Sequence, residues 1–185
     1  MAERAAFTRM RDGNRADYQI IERAEAEFNT GLPGRVLDAV RDLAAFGLGG
    51  FPIDRFQHSL QSATRALRDD RGTDYVVMAL VHDIGDGLAP HSHGQYAASV
   101  LRPFVPERLA WITEHPPVFQ MFFYAPNMGG DKDARERYRG HQWFDDCVEF
   151  CERYDENCFD PGYDNLPLET FEPMVYEVFG REPWN

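Results

Sequence analysis

The stretch TDYVVMALVHDIG, residues 73–85, contains the strongest indication of the fold in this chain. Its apolar residues follow one another without leaving a polar face, so we predict a helix that is buried on nearly all sides. A charged Asp at the end of such a helix is costly to bury unless it is paired or binds a metal. The pair His82-Asp83 is therefore the first candidate for a functional site.

Helical periodicity continues on both sides of this segment, and we find no convincing run of alternating residues that would indicate strands. The predicted helices span 16–29, 34–46, about 54–69, 73–85, 93–102, 106–115, 141–154 and 167–179. Asp54 is expected to cap the third of these helices, and Thr73 or Asp74 the fourth. Glycines at 47–50 and in 124–140 indicate a flexible break and a looser segment.

At 185 residues the chain fits one domain with a proper hydrophobic core. The fold class is predicted to be all-α, a bundle of about seven or eight helices in a single domain over residues 1–185. Within it, a core at about 54–179 would carry the functional residues, and N-terminal helices would occupy 16–46.

The charge and the cysteines limit the classes of function. With 19 basic and 31 acidic residues the chain has a formal net charge of −12, which argues against nucleic acid or an anionic membrane as a partner. No stretch approaches the roughly 18 apolar residues of a membrane span, and the first residues lack the apolar region of a signal peptide. Cys147, Cys151 and Cys158 form no CxxC pair and are expected to be buried free thiols. We therefore expect a cytoplasmic protein.

Several residues of the types that commonly bind metals recur at helical intervals along the chain. The candidate ligands are His58, His82, Asp83, His93, His115 and Asp155. A carboxylate has two oxygens, so in the arrangement that we favour Asp83 bridges two metal ions. His58, His82 and Asp155 would complete the ligands of the first ion.

His93 and His115 would hold the second ion. His91 is the main competitor of His93, two residues earlier in the sequence, whereas His141 is expected to be exposed or to cap a helix. Four imidazoles and two carboxylates suit iron or manganese, and zinc less exclusively than a set of cysteines would. The sequence thus predicts a two-metal site in a helical bundle.

A substrate pocket beside the metal ions needs further polar and apolar side chains. The candidates are Gln61, Arg65, Asp86, Phe119 and Lys132, the last being the only lysine of the chain. An aromatic run begins at Phe119 and could be core packing, a lid, or a wall for the alkyl or ammonium part of a substrate.

The first His, the His-Asp pair and the later Asp resemble the signature of the HD-domain superfamily, here at His58, His82-Asp83 and Asp155. The two extra histidines make the chain similar to the two-metal branch of that superfamily. HSLQSATRA (58–66) and ALVHDIG (79–85) look like segments of the mixed-valent diiron oxygenases, which include inositol oxygenase and the phosphonate-cleaving (PhnZ-type) enzymes. The resemblance covers roughly residues 54–179.

This resemblance implies an enzyme with an Fe(II)/Fe(III) pair that uses O2 to break a C–H bond of a small-molecule substrate and then a C–C or C–P bond. Related enzymes tend to carry a cation shortly after the His-Asp pair, where this chain has Asp86, and the phosphonate enzymes carry a Lys at the position of Phe119. The substrate is therefore expected to be a hydroxylated or amine-bearing molecule.

Two alternatives to an oxygenase remain open at this point. The first is a metal-dependent phosphohydrolase that acts on a nucleotide or a phosphomonoester with Mn, Zn or Mg. The second is a non-catalytic helical binding module. The small number of basic residues near the candidate ligands disfavours the first, and the costly buried carboxylate disfavours the second.

Overall fold

The computed structural model describes residues 3–45 and 50–184, and these residues form helices and turns with no β-strand among them. The α-helices are α1 (Arg15–Thr30), α2 (Leu32–Asp42), α3 (Arg55–Arg68), α4 (Thr73–Val81), α5 (His93–Leu101), α6 (Glu107–Glu114), α7 (Pro116–Phe119), α8 (Met121–Tyr124), α9 (Phe144–Tyr154) and α10 (Glu172–Phe179). Short 3-10 helices lie at Met10–Asp12, Ala125–Met128, Ala134–Tyr138 and Leu168–Thr170. Eight of the α-helices in the described part of the chain have eight or more residues, which confirms the predicted all-α bundle. None of the described helices is both long and apolar enough to cross a membrane.

Helix α4 lies at the centre of the bundle, as its apolar sequence predicted. All its residues from Val76 to Val81 are fully buried, and α3, α6 and α10 pack around it. The predicted caps are wrong: Gly72 precedes the helix and no side chain caps it. Thr73 already lies inside the first turn, and the Asp74 carboxylate pairs with Arg181 at 2.7 Å.

Helix α3 begins where the sequence indicated. Asp54 precedes it in extended conformation, and its carboxylate accepts a hydrogen bond of 2.7 Å from the backbone N–H of Gln57. This bond satisfies one of the free N–H groups of the first turn. The cap thereby fixes the start of the helix that carries His58.

Two predicted helices begin later than expected. The helix predicted from residue 141 starts at Phe144, because His141 to Trp143 form a turn closed by hydrogen bonds to Tyr138 and from Phe144. The helix predicted from residue 167 starts at Glu172, where Pro173 occupies the first turn, the position in a helix that tolerates proline.

The remaining boundaries differ by a few residues. The helix predicted over 34–46 spans Leu32–Asp42, and the predicted break at 47–50 lies almost entirely outside the described residues. The segment 124–140, predicted to be looser, contains two of the 3-10 helices.

Two glycines allow the backbones of neighbouring segments to approach closely. A Cβ at Gly94 in α5 would lie 2.8 Å from the carbonyl oxygen of Glu114 at the end of α6. A Cβ at Gly85 would lie 2.7 Å from the carbonyl oxygen of His93. Only glycine fits such contacts. The turn after α4 and the start of α5 are thus packed backbone to backbone, which places His93 next to Asp83.

Candidate metal centre

The first group of candidate ligands meets where α3 passes the ends of α4 and α9. His58 Nε2 lies 3.1 Å from His82 Nε2 and 3.3 Å from Asp155 Oδ1, and His82 Nε2 lies 3.8 Å from the same Asp155 oxygen. All three side chains are buried. The structure therefore brings together three residues that are far apart in the sequence.

The proton positions on the two imidazoles follow from their hydrogen bonds. His58 Nδ1 donates to the carbonyl oxygen of Cys158 at 3.0 Å, and His82 Nδ1 donates to that of Ala79 at 2.8 Å. A carbonyl oxygen can only accept, so each neutral ring carries its lone pair on Nε2. Two lone pairs 3.1 Å apart repel each other unless a proton or a metal ion lies between them.

Asp83 faces the pair of His58 and His82 with one carboxylate oxygen and His93 with the other. Its Oδ2 lies 3.5 Å from His58 Nε2 and 3.6 Å from His82 Nε2. Its Oδ1 lies 3.8 Å from His93 Nε2. The carboxylate thus stands between the first group and a second one.

The second group is formed by Asp83, Asp86 and His93. His93 Nδ1 lies 3.2 Å from Asp86 Oδ1, so this carboxylate can hold the ring with Nε2 toward Asp83. His91, the alternative ligand in the sequence, is exposed and belongs to neither group. Of the two neighbouring histidines, the structure places His93 at the site.

The separations within the first group fit a bound metal ion. Ligand atoms about 2.1 Å from one ion lie about 3.0 Å apart at right angles and about 3.4 Å apart in a tetrahedron. The separations between the two histidine nitrogens and the Asp155 and Asp83 oxygens run from 3.1 to 3.8 Å. These buried His and Asp groups could therefore hold a metal ion.

The charges of the site favour a cation. Burial would lower the pKa of His82, but the carboxylates of Asp83 and Asp155 raise it to about 9. Burial would raise the pKa of Asp155, but its hydrogen bonds with His58 and His82 lower it well below its usual range. Burial and the charge of Asp83 raise the pKa of Asp86. Without a metal ion the site therefore binds a proton at His82.

His115 lies at the end of α6, outside both groups. Its Nδ1 donates to the carbonyl oxygen of Trp111 at 2.7 Å, and its ring stacks on that indole with 4.1 Å between the ring centroids. His141 stacks on Trp111 at the same centroid distance. Like His58 and His82, His115 directs Nδ1 to a backbone carbonyl oxygen, which leaves its Nε2 for another partner. Because His115 lies outside both groups, its role as a metal ligand stays a prediction.

Arg55 is the basic residue at the site that could not be anticipated from the ligand motif. Its Nη1 lies 3.3 Å from Asp83 Oδ2, and its Nε lies 2.9 Å from Asp86 Oδ2, without the angle of a hydrogen bond. A basic side chain therefore does lie beside the candidate ligands. The spacing could have revealed it, because Arg55 precedes His58 by three residues on α3 and so lies on the same face of the helix.

A cavity of about 470 Å³ opens beside the two groups. Its lining is mostly apolar and contains three phenylalanines and one tyrosine. The lining residues are Phe51, Arg55, Asp83, His93, Pro116, Pro117, Gln120, Phe123, Tyr124, Met128, Asp155, Glu156 and Phe159. Candidate metal ligands thus form part of the wall of a space large enough for a small molecule.

Four of the five predicted pocket residues lie away from this cavity, and two of them hold the segment after α9. Gln61 donates to the carbonyl oxygen of Asp160 at 2.7 Å, and Arg65 donates to that of Asn157 at 3.1 Å. Both side chains point from α3 toward that segment because its carbonyl groups need hydrogen-bond donors. Neither residue lines this cavity, and their role as substrate-pocket residues stays a prediction.

Of the other two predicted pocket residues, Phe119 lies in the aromatic core and Lys132 lies at the surface. Phe119 is fully buried, with its ring 5.1 Å from that of Phe144. Lys132 is exposed and pairs with Asp133 at 3.2 Å. Asp86, the fifth, does not line the cavity but contacts two residues that do, Arg55 and His93.

The described cysteines are free and buried, as predicted. Burial raises the pKa of the Cys158 thiol to about 12, so it stays protonated.

Comparison with known proteins adds no relative, because no family profile and no curated protein matches the chain. The candidate metal centre is thus defined by its own geometry.

Proposed function

We propose that the protein is an HD-type two-metal oxygenase. It would use O2 and two iron ions to oxidise or cleave a C–H, C–C or C–P bond of a small hydroxylated or amine-bearing molecule. The observation that carries the proposal is the position of the Asp83 carboxylate. Its Oδ2 faces His58 and His82, whereas its Oδ1 faces His93. A single-metal site would need no carboxylate in that position.

Six residues have roles in the first coordination shell under this proposal. His58, His82 and Asp155 would hold the first ion, and Asp83 would bridge it to the second. His93 would hold the second ion, with His115 as its proposed partner. When bound, a mixed-valent Fe(II)/Fe(III) pair supplies Lewis acidity and O2 activation, which no side chain here can supply.

The chain's own contribution is orientation and the exclusion of water. Backbone carbonyls of Cys158 and Ala79 hold the imidazoles of His58 and His82 with Nε2 toward the site. Asp86 does the same for His93. Such partners fix the ring and raise the basicity of a ligand.

The apolar wall of the cavity supports oxygen chemistry over hydrolysis. Phe123, Tyr124 and Phe159 line it beside the candidate ligands. An apolar pocket limits the access of water to a reactive centre. A hydrolase has to admit water, and a phosphoryl group needs cationic or N–H donors around it.

Arg55 favours a second candidate function, a metal-dependent phosphohydrolase that works with Mn, Zn or Mg. Its guanidinium lines the cavity and could hold a phosphoryl oxygen. The phosphohydrolase ranks below the oxygenase because the carboxylates of Asp83 and Asp86 already neutralise the guanidinium of Arg55.

Metal analysis combined with spectroscopy and oxygen uptake tests the proposal. The protein is purified without added metal, its Fe, Mn and Zn contents per chain are measured, and its low-temperature electron paramagnetic resonance spectrum is recorded. We expect two irons per chain, a coupled Fe(II)/Fe(III) signal and substrate-dependent O2 uptake. Two Mn or Mg ions with phosphatase turnover and no O2 uptake would overturn the oxygenase in favour of the hydrolase.

A pair of histidine variants provides the matched control. His58→Ala should lose iron and the coupled signal, because it removes a buried nitrogen from the first group. His141→Ala should keep both, because its ring lies on Trp111 outside the ligand groups.

A further inference from the structure

We propose that the substrate has an aromatic or alkyl body of several carbon atoms and an anionic oxygen head that binds at the metal ions. This inference rests on the proposed function and adds an apolar body and an anionic head to the hydroxylated or amine-bearing molecule proposed above. It follows from the shape of the cavity, the chemistry of its two walls and the charge at its inner end.

The first wall is a pair of stacked phenylalanines. The Phe51 and Phe159 rings lie with centroids 5.1 Å apart and an interplanar angle of 19°. Phe159 also stacks on the imidazole of His58 at 4.5 Å. A continuous aromatic surface therefore leads from the mouth of the cavity to a candidate metal ligand.

The other apolar lining comes from the segment after α6. Pro116, Pro117, Phe123, Tyr124 and Met128 contribute apolar surface and few polar atoms. Gln120 and Glu156 are the polar side chains among these walls, so a polyol or another strongly hydrated molecule would regain few of the hydrogen bonds that it loses with water. An aromatic or alkyl body would instead gain free energy when its apolar surface leaves water.

The exposed part of the cavity lining is mostly apolar, with Glu156 as its charged member. Phe51, Tyr124 and Met128 are 48%, 46% and 78% exposed, although all three line the cavity. Exposed apolar side chains that cluster around an opening commonly mark a binding site. The body of the substrate would cover these side chains while its head lies at the inner end.

The charge of the inner end determines the kind of head group. Three carboxylates, those of Asp83, Asp86 and Asp155, are balanced in part by Arg55, and two divalent ions would leave this end positive. A carboxylate or an ionised hydroxyl oxygen is then attracted, and it could bind a metal ion directly. A cavity of about 470 Å³ is large enough to hold this head together with a ring.

Calorimetric titration of the metal-loaded protein with three carboxylates tests the inference. The probes are 3-phenylpropanoate, propanoate, which has the same head without the ring, and gluconate, which has the same head on a polyol chain. We expect 3-phenylpropanoate to bind at least about tenfold more tightly than the other two. Equal or tighter binding of gluconate, or no binding of 3-phenylpropanoate at millimolar concentration, would overturn the inference.

Two pairs of variants locate the binding. Phe51→Ala and Tyr124→Ala remove parts of the cavity wall and should each weaken 3-phenylpropanoate at least about fivefold. Phe28→Ala and Tyr176→Ala remove exposed rings of the same types outside the cavity lining and should leave the affinity unchanged. Equal effects of the two pairs would contradict binding in this cavity.

Metal content measured on the same samples separates this inference from the proposed function. A protein that holds two metal ions but prefers gluconate would overturn only the substrate class. A protein that holds no metal but binds 3-phenylpropanoate in a Phe51-dependent manner would overturn the oxygenase and retain the apolar binding site.

Discussion

At the scale of single residues, the orientation of the histidines is the decisive feature. His58, His82 and His115 each direct Nδ1 to a backbone carbonyl, and His93 directs it to Asp86. The sequence could indicate the ligand types, because His and Asp at a buried helix end are costly without a cation. It could not indicate which nitrogen faces inward, because that depends on carbonyls from other parts of the chain.

Arg55 should limit the affinity of the site for metal ions. Arg55→Gln removes a positive charge 3.3 Å from Asp83 Oδ2, so we expect Mn²⁺ to bind on the order of tenfold more tightly. Calorimetric titration with Mn²⁺ measures this change. The control is Arg68→Gln, an arginine on the same helix that contacts Tyr163 and Asp164, and its affinity should stay unchanged. Weaker binding in Arg55→Gln would show that the guanidinium supports the site.

The metal-free protein should lose stability as the pH rises. The pKa of His82 is raised from 6.5 to about 9, so its protonated form contributes stability that is complete below about pH 6.5 and lost as the pH rises through 9. Between these values the free energy of unfolding should fall by up to about 1.4 kcal/mol per pH unit.

Urea unfolding of chelator-treated protein from about pH 6.5 to about pH 8 measures this slope. At higher pH the buried Cys158 thiol, whose pKa is raised from 9.0 to about 12, would add a fall of its own. The His82→Gln variant is the control and should show no such fall. A free energy of unfolding that stays constant or rises over this range in the parent protein would contradict the account.

At the scale of secondary-structure elements, the helices that a local sequence pattern defines could be predicted. Features that depend on tertiary contacts could not. The unbroken apolar run Val76–Val81 sufficed to identify α4, and Asp54 sufficed to place the start of α3. The start of α9 was missed because His141 to Trp143 form a turn with hydrogen bonds to Tyr138 and from Phe144, and the stacking of His141 on the distant Trp111 accompanies that turn. The direction of the Gln61 side chain could not be predicted, because it depends on a hydrogen bond to the carbonyl oxygen of Asp160, which is distant in the sequence.

The contact between α5 and α6 should be essential for the second metal ion. Gly94→Ala would place a Cβ 2.8 Å from the carbonyl oxygen of Glu114, so α5 has to move and carry His93 with it. We expect a loss of about 1–3 kcal/mol in the free energy of unfolding and one metal ion fewer per chain.

The control for this change is Gly140→Ala, where no atom lies within 4 Å of the added Cβ and both quantities should stay unchanged. Urea unfolding and metal analysis of the two variants check the prediction. Two metal ions in Gly94→Ala would mean that α5 does not position a ligand.

At the scale of the whole molecule, the candidate ligands that the structure brings together come from four parts of the bundle. His58 lies on α3, His82 and Asp83 follow α4, His93 begins α5, and Asp155 follows α9. Bound ions would therefore tie these elements together. Without ions, the buried carboxylates and imidazoles oppose close packing, apart from the contributions of Arg55 and of a proton on His82.

Metal ions should consequently stabilise the entire bundle. At a free metal concentration 100 times the dissociation constant, binding adds about 2.7 kcal/mol to the free energy of unfolding. For a domain of this size we expect chelation to lower the Tm by about 5–10 °C. Differential scanning calorimetry with and without chelator measures the shift. In His58→Ala the chelator should have a much smaller effect, and an equal shift there would place the stabilising ion elsewhere.

The position of metal ions in a crystal of the iron-loaded protein tests the central claim, that Asp83 bridges two metal ions. Anomalous diffraction at the iron absorption edge locates the ions directly. We predict two peaks about 3.5–4 Å apart on either side of the Asp83 carboxylate, one beside His58, His82 and Asp155 and the other beside His93. A single peak, or peaks that do not contact Asp83, would contradict the claim.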